Sequence, residues 1–149
     1  MSQRETENAR RLQEPGQAMD AVAAAVIDAA IEVHRVLGPG FFESVYQQAL
    51  DLELSLRSIS FVRQPAMDVL YKGCLVGELR PDLLIADSLI VELKTVDQLG
   101  AVHLAQALAY LKAAHLPLAL VINFNVPILL RGVRRVVHST ETANEDRQS

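Results

Sequence analysis

The chain has 149 residues, half of them hydrophobic, which is enough for one domain with a sizeable core. Its formal net charge of −4 argues against a nonspecific coat for nucleic acid or an anionic membrane, although a bound divalent cation could still supply positive charge locally. The single cysteine, Cys74, excludes an internal disulfide and a cysteine-based zinc cluster. With no apolar run long enough to span a bilayer, we expect a cytoplasmic protein without membrane contact.

Both ends of the chain are polar. Residues 1–17 include Pro15 and Gly16, and residues 139–149 carry no large apolar side chain. Segments of this composition bury too little apolar surface to order themselves. We therefore expect both ends to be disordered and one domain to span residues 18–138.

Two amphipathic helices are predicted at the start of the domain. The first begins at Asp20, its predicted N-cap, and ends at the glycines and proline of residues 38–40. The second follows in FFESVYQQALDLELSLRS, where apolar residues recur at helical spacing and predict the buried stripe. That stripe consists of Phe42, Val45, Ala49, Leu52 and Leu56, whereas Glu43, Tyr46 and Leu50 lie on a different face.

Short strands come next, in ISFVRQ, AMDVLY, CLVGELRPDLLI and LIVELKTV, with Lys72 and Gly73 as a tight turn between the second and third. A helix from residue 97 to about 116 leads to PLALVINF, a continuous apolar strand typical of a sheet covered on both faces. ILLRGVRRVVH adds a last strand. Because the helix is long enough for a crossover, LIVELK and PLALVINF are predicted to be parallel. The order indicates an α/β fold with a mixed central sheet flanked by helices.

The hairpin RPDLLIADSLIVELK places three charged side chains inside apolar runs. If residues 86–88 form a three-residue loop, Asp82 stands opposite Glu92 with their Cβ atoms about 4.5–5.5 Å apart, and Lys94 points to the same face. Two carboxylates this close repel each other, and a divalent cation would remove the conflict. The pattern fits a metal site that acts on a phosphate, or a solvated strand face on which Lys94 pairs with an acid.

These residues resemble a known family. Pro81-Asp82, followed by Glu92-Leu93-Lys94 on the next strand, resembles the signature of the PD-(D/E)XK nuclease superfamily, whose αβββαβ core is similar to the predicted order. The string GFFESVY at residues 40–46 reads GxxExxY. Together with GELRPDLLI, VELK and INF, it resembles the bacterial GxxExxY protein family over residues 20–137.

The resemblance implies roles for four charged residues. Asp82, Glu92 and Glu43 would hold Mg²⁺ or Mn²⁺, and all three would belong to the catalytic site. Lys94 would be the catalytic lysine. The residues themselves leave another interpretation of Glu43, because an acid in the first turn of a helix also favours the helix dipole.

The resemblance also implies substrate-binding residues. Gln106 and Tyr110, in the string QALAY, would help to position nucleic acid beside the site, and Tyr46 of the GxxExxY string is assigned to the substrate as well. Since Gln106 and Tyr110 are four residues apart on a predicted helix, they could instead contact only each other.

The predicted function is a metal-dependent nuclease that hydrolyses phosphodiester bonds of DNA or RNA. The alternative is a non-catalytic module for oligomeric assembly or nucleic-acid binding, because a fold does not determine an activity and the first helix could pack between subunits of a homo-oligomer. The arginines admit two interpretations, phosphate binding or protection of strand edges. They are Arg63, Arg80, Arg131, Arg134 and Arg135.

Overall fold

The computed structural model describes residues 16–139, so most of both terminal segments expected to be disordered, residues 1–15 and 140–149, lies outside the described residues. Within it, three α-helices and seven strands follow one another in the order αα, five strands, α and two strands. The helices are α1 (Gln17–Leu37), α2 (Glu43–Leu56) and α3 (Ala101–Ala114). The strands are β1 (Phe61–Arg63), β2 (Met67–Tyr71), β3 (Cys74–Leu79), β4 (Leu83–Ile85), β5 (Leu89–Lys94), β6 (Leu118–Asn123) and β7 (Val133–Val137).

Five of these strands form a mixed sheet in the order β1-β4-β5-β6-β7. The central pair β5–β6 is parallel, as predicted from the crossover helix α3, and the other neighbours are antiparallel. Strands β2 and β3 pair with each other in a separate two-stranded sheet, joined by the predicted turn at Lys72 and Gly73, both with positive φ. The predicted α/β architecture, with a mixed central sheet and flanking helices, is confirmed.

The mixed sheet has a hydrophobic core on each face. Helices α1 and α2 pack on one face, where Leu83, Val91 and Leu93 are fully buried. Helix α3 covers the other face, where Ile90 and Val121 pack with Leu111. All six residues of β6 are buried, which explains the unbroken apolar sequence of this strand.

Helix α1 begins one turn earlier than predicted. Its N-cap is Gly16, so Asp20 lies inside the first turn instead of capping it. There the Asp20 carboxylate forms an ion pair with Arg135 of β7 at 2.9 Å. An acid in the first turn also interacts favourably with the helix dipole, which is why an acidic residue near a helix start is an ambiguous marker of the boundary.

Helix α2 buries a different face from the one predicted. Its buried residues are Tyr46, Leu50 and Leu54, whereas Phe42 is 84% exposed and Leu56 71% exposed. The core accepts Tyr46 because its hydroxyl donates to the carbonyl of Gly38 and accepts from the backbone N–H of Phe41. The apolar stripe assigned to the core therefore faces outward over most of its length.

Among residues 16–139, no helix combines the length and the apolarity that a membrane crossing requires.

Candidate active site

The β4–β5 hairpin has the register predicted from its sequence. Ile85 pairs with Leu89, Leu84 with Ile90 and Leu83 with Val91. The three-residue loop between the strands is closed by a hydrogen bond from the backbone N–H of Ser88 to the carbonyl of Ile85. Continuing this register by one pair places Asp82 opposite Glu92.

The two carboxylates are held by each other's strand. Glu92 Oε1 accepts a hydrogen bond from the backbone N–H of Asp82 at 2.6 Å, and Asp82 Oδ2 accepts one from the backbone N–H of Leu93 at 2.8 Å. The second oxygen of Glu92, Oε2, lies 3.7 Å from Lys94 Nζ. The backbone thus fixes one oxygen of each carboxylate.

Three acids influence one another's ionisation at this end of the hairpin. Burial, and then the charge of Asp82, raises the pKa of Glu92 to about 7. Burial also raises the pKa of Asp82. Glu43, the first residue of α2, is exposed as a residue, but partial burial of its carboxyl group and then the charge of Asp82 raise its pKa. Concentrated negative charge of this kind disfavours full ionisation without a cation.

Helix α3 contributes polar side chains from the face of the sheet that lies opposite α2. Lys94 Nζ donates a hydrogen bond to Gln106 Oε1 at 3.0 Å and lies 3.7 Å from Glu92 Oε2. Tyr110, one helical turn after Gln106, has its pKa raised to about 12, mainly by burial and then by the charges of Glu92 and Asp82. The structure therefore brings the predicted residues Gln106 and Tyr110 next to the charged end of the hairpin.

A family comparison matches residues 20–136 to the PD-(D/E)XK nuclease superfamily. The chain belongs to this superfamily. The match does not confirm the finer resemblance to the GxxExxY family. Searches of curated proteins and of solved structures returned no match.

The donor set of this PD-(D/E)XK domain suits a hard divalent cation. Mg²⁺ prefers oxygen ligands and is often held by one or two carboxylates together with waters, and Asp82 and Glu92 each use one carboxylate oxygen to bind the backbone of the neighbouring strand. Within residues 16–139, no three His, Cys, Asp or Glu side chains lie close enough together to hold a metal ion. Glu43 is exposed, so in this arrangement it influences the other acids electrostatically without completing a three-ligand cluster.

Tyr46 lies in the core of the PD-(D/E)XK domain. Its side chain is fully buried, its ring stacks on Phe124 with centroids 4.6 Å apart, and its hydroxyl is bonded to the backbone of residues 38–41. These contacts are all with the protein itself, and the assignment of Tyr46 to the substrate stays a prediction. They support a structural role, in which the ring holds the turn that precedes Glu43.

Asn123 is a residue of this region that sequence reasoning missed. It is 1% exposed, pairs in register with Lys94, and bonds both the N–H and the carbonyl of Val96, at 3.1 and 2.8 Å. It therefore fixes the chain that leaves β5 just after the lysine. The available signal was a polar residue at the end of the apolar run LALVIN.

Asp51 and Gln47 on α2 were missed as well. Gln47 Nε2 donates to Asp51 Oδ1 at 2.9 Å, and Asp51 forms an ion pair with Arg63 of β1. The signal lay in the spacing, because Glu43, Gln47 and Asp51 recur every four residues and share one face of the helix.

Proposed function

We propose that this PD-(D/E)XK domain is a nuclease of the GxxExxY family that cleaves phosphodiester bonds of DNA or RNA with Mg²⁺ or Mn²⁺ as cofactor. The observation that carries the proposal is the reciprocal bonding of Asp82 and Glu92, with Lys94 3.7 Å from Glu92. Two ionised carboxylates at this position repel each other, so the pair of Asp82 and Glu92 would destabilise the hairpin if it had only a structural role.

The chain's own residues prepare the site for a phosphate. Asp82 and Glu92 would hold the cation, which when bound supplies a Lewis acid for the phosphate. Lys94 would stabilise the negative charge that develops on the phosphate oxygens. Gln106 accepts a hydrogen bond from one of the three N–H groups of Lys94 and so orients the ammonium group without neutralising it.

The test is cleavage of labelled DNA and RNA by the purified protein with Mg²⁺ or Mn²⁺. We expect Lys94→Ala to lower the cleavage rate by about 10²–10³-fold, the typical effect of removing one donor to transition-state charge. The matched control is Lys112→Ala, because Lys112 is an exposed lysine on α3.

The proposed nuclease activity would be supported if Lys112→Ala cleaves as fast as the unmodified protein, while Lys94→Ala is inactive and keeps its melting temperature. Equal cleavage by both lysine variants would contradict it. Failure of the unmodified protein to cleave either nucleic acid with either metal would also contradict it.

A second candidate function is assembly, favoured by the exposed apolar face of α2. Leu52 is 62% and Leu56 71% exposed on this helix, on the apolar stripe that begins at Phe42. Contiguous apolar surface of this kind often marks a protein interface. A solution mass above that of the monomer, reduced to the monomer by Leu52→Glu, would favour assembly. A monomeric unmodified protein would contradict it.

A further inference from the structure

A line of polar side chains on α2 leads away from the acids. Glu43, Gln47 and Asp51 are four residues apart along one helix face, so the line is two turns or about 12 Å long. Within this line, Gln47 Nε2 donates a hydrogen bond to Asp51 Oδ1 at 2.9 Å. Burial raises the pKa of Asp82, and Asp51, at the far end of the line, remains close enough for its charge to contribute to this rise.

The carboxylate of Asp51 is anchored in the protein and directed at one arginine. Its side chain is 13% exposed, and Oδ2 is buried, accepts no hydrogen bond within residues 16–139 and lies 2.9 Å from Arg63 Nε. The next residue of the chain, Gln64, donates its backbone N–H to the carbonyl of Asp82 at 2.9 Å. Arg63 is thus positioned at the end of β1 beside the acids.

Only one edge of the Arg63 guanidinium is used. The closest contact with Asp51 is through Nε, and within residues 16–139 the two terminal amino groups form no hydrogen bond. The side chain is 55% exposed. A planar guanidinium with two free, parallel N–H groups matches two oxygens of a phosphate.

The nearby Arg80 lacks this freedom. It donates from Nε and Nη2 to Glu78 and from Nη1 to the carbonyl of Gln64. Arg63 is therefore the arginine beside Asp82 that presents donors to solvent.

We propose that Arg63 binds a backbone phosphate of the substrate strand outside the cleavage position, and that Asp51 is a positioning residue that holds its guanidinium for this contact. The proposal rests on the proposed function, because it takes the substrate to be nucleic acid. It assigns recognition of the phosphate backbone, which carries no sequence information, to this side of the site.

The experiment measures binding of short DNA and RNA probes as a function of salt. All proteins carry Lys94→Ala, and Mg²⁺ is present, so that the probe binds without being cut. Each phosphate contact adds about 0.7–0.9 to the slope of log affinity against log salt, the lower value for single strands. We expect Arg63→Ala to reduce the slope by this amount, and Arg63→Lys to retain most of it.

The matched control is Arg57→Ala. Arg57 forms an ion pair at 2.9 Å with Glu53 on α2. Its replacement therefore removes one positive charge and an ion pair with α2, as Arg63→Ala does. We expect its salt slope to equal that of the parent. Melting temperatures of all variants separate a loss of binding from a loss of folding.

The role of Asp51 is tested by a double-mutant cycle. If Asp51 positions the guanidinium, Arg63→Ala has a smaller effect on affinity in an Asp51→Asn background than in the parent. Equal effects in both backgrounds would overturn the positioning role.

Two outcomes separate failure of the proposal from failure of the proposed function. Binding by the parent with the same slope for Arg63→Ala and Arg57→Ala would overturn phosphate binding by Arg63 and leave the nuclease intact. No binding of either probe by the parent, with no cleavage by the protein that retains Lys94, would overturn both.

Discussion

Glu92 shows what a charged residue costs when it occupies a buried strand. It is 5% exposed, with β6 beside it and Asp82 opposite, and burial is the main reason that its pKa rises to about 7. A folded protein rarely keeps such a group without a functional reason, because its ionised form is destabilised in the core. The acid is therefore a site where stability and function oppose each other.

This opposition predicts a pH dependence of stability for the metal-free protein. The pKa of Glu92 is higher in the folded state than the 4.5 of the unfolded chain, so folding favours the protonated form. Its contribution is fully present below about pH 4.5 and is lost as the pH rises to about 7. We expect Glu92→Gln, which stays neutral, to flatten the pH profile of the melting temperature over this range.

The control for that profile is Glu78→Gln. Glu78 is exposed on β3 and carries the same charge change without burial. Profiles measured in a chelating buffer should be alike for this control and the unmodified protein. A Glu92→Gln profile as steep as the control's would show that Glu92 is not the group responsible.

At the scale of elements, α2 illustrates the limit of hydrophobic periodicity. A helix with apolar residues on two faces offers two stripes, and the choice between them depends on what lies beside it. Here Tyr46 and Leu50 face the sheet, and the polar groups of residues 38–41 satisfy the tyrosine hydroxyl. Packing against the sheet thus decides which face of α2 is buried, even though the other face carries more apolar residues.

A pair of leucines on α2 tests this orientation. Leu54 is fully buried and Leu56 is 71% exposed, in the same helix and two residues apart. We expect Leu54→Ala to lower the free energy of unfolding by about 2–5 kcal/mol because it leaves a cavity. Leu56→Ala should change it by less than about 0.5 kcal/mol. Urea denaturation measures both, and similar losses for the two variants would contradict the buried face described above.

The loop between β4 and β5 gives a second prediction at this scale. Ala86 has φ of 49°, in the left-handed region that favours glycine. We expect Ala86→Gly to raise the free energy of unfolding by up to about 1 kcal/mol, since an L-residue is strained there.

The matched control for Ala86→Gly is Ala105→Gly, an exposed position inside α3. It should lower the free energy of unfolding by about 1 kcal/mol, because glycine is a poor helix former. The opposite signs follow from the backbone alone. Destabilisation by both changes would indicate a different conformation of the loop.

For the whole molecule, a cation bound by Asp82 and Glu92 would stabilise the folded state. The acids come from the β4–β5 hairpin, and Glu43 from α2 affects their ionisation. A ligand that binds only the folded state stabilises it by about 2.7 kcal/mol at a concentration of 100 times its Kd. We expect Mg²⁺ to raise the melting temperature of the unmodified protein accordingly.

The same titration distinguishes the acids. Asp82→Asn should abolish the shift caused by Mg²⁺, because it removes a proposed ligand, whereas Glu43→Gln should reduce it less, because Glu43 is exposed. Asp68→Asn on β2 is the control for a change in net charge. A shift of equal size in Asp82→Asn and Asp68→Asn would contradict the proposed cation position.

The sequence by itself determined the geometry of the hairpin and much of the sheet. Side chains alternate along a strand with a period of two, so the length of the loop at residues 86–88 was sufficient to place Asp82 opposite Glu92. The long helix between β5 and β6 likewise required a parallel pair. Both are local rules, in which a short stretch of chain carries the whole constraint.

The tertiary structure alone decided which side of α2 is buried and how Asp51 meets Arg63. These contacts join segments whose relative positions depend on packing across the sheet. Neither the periodicity nor the composition of a segment says how far it lies from the other. Burial of Tyr46 belongs with them, because the backbone groups that satisfy its hydroxyl come together only when the turn at residues 38–41 folds over the helix.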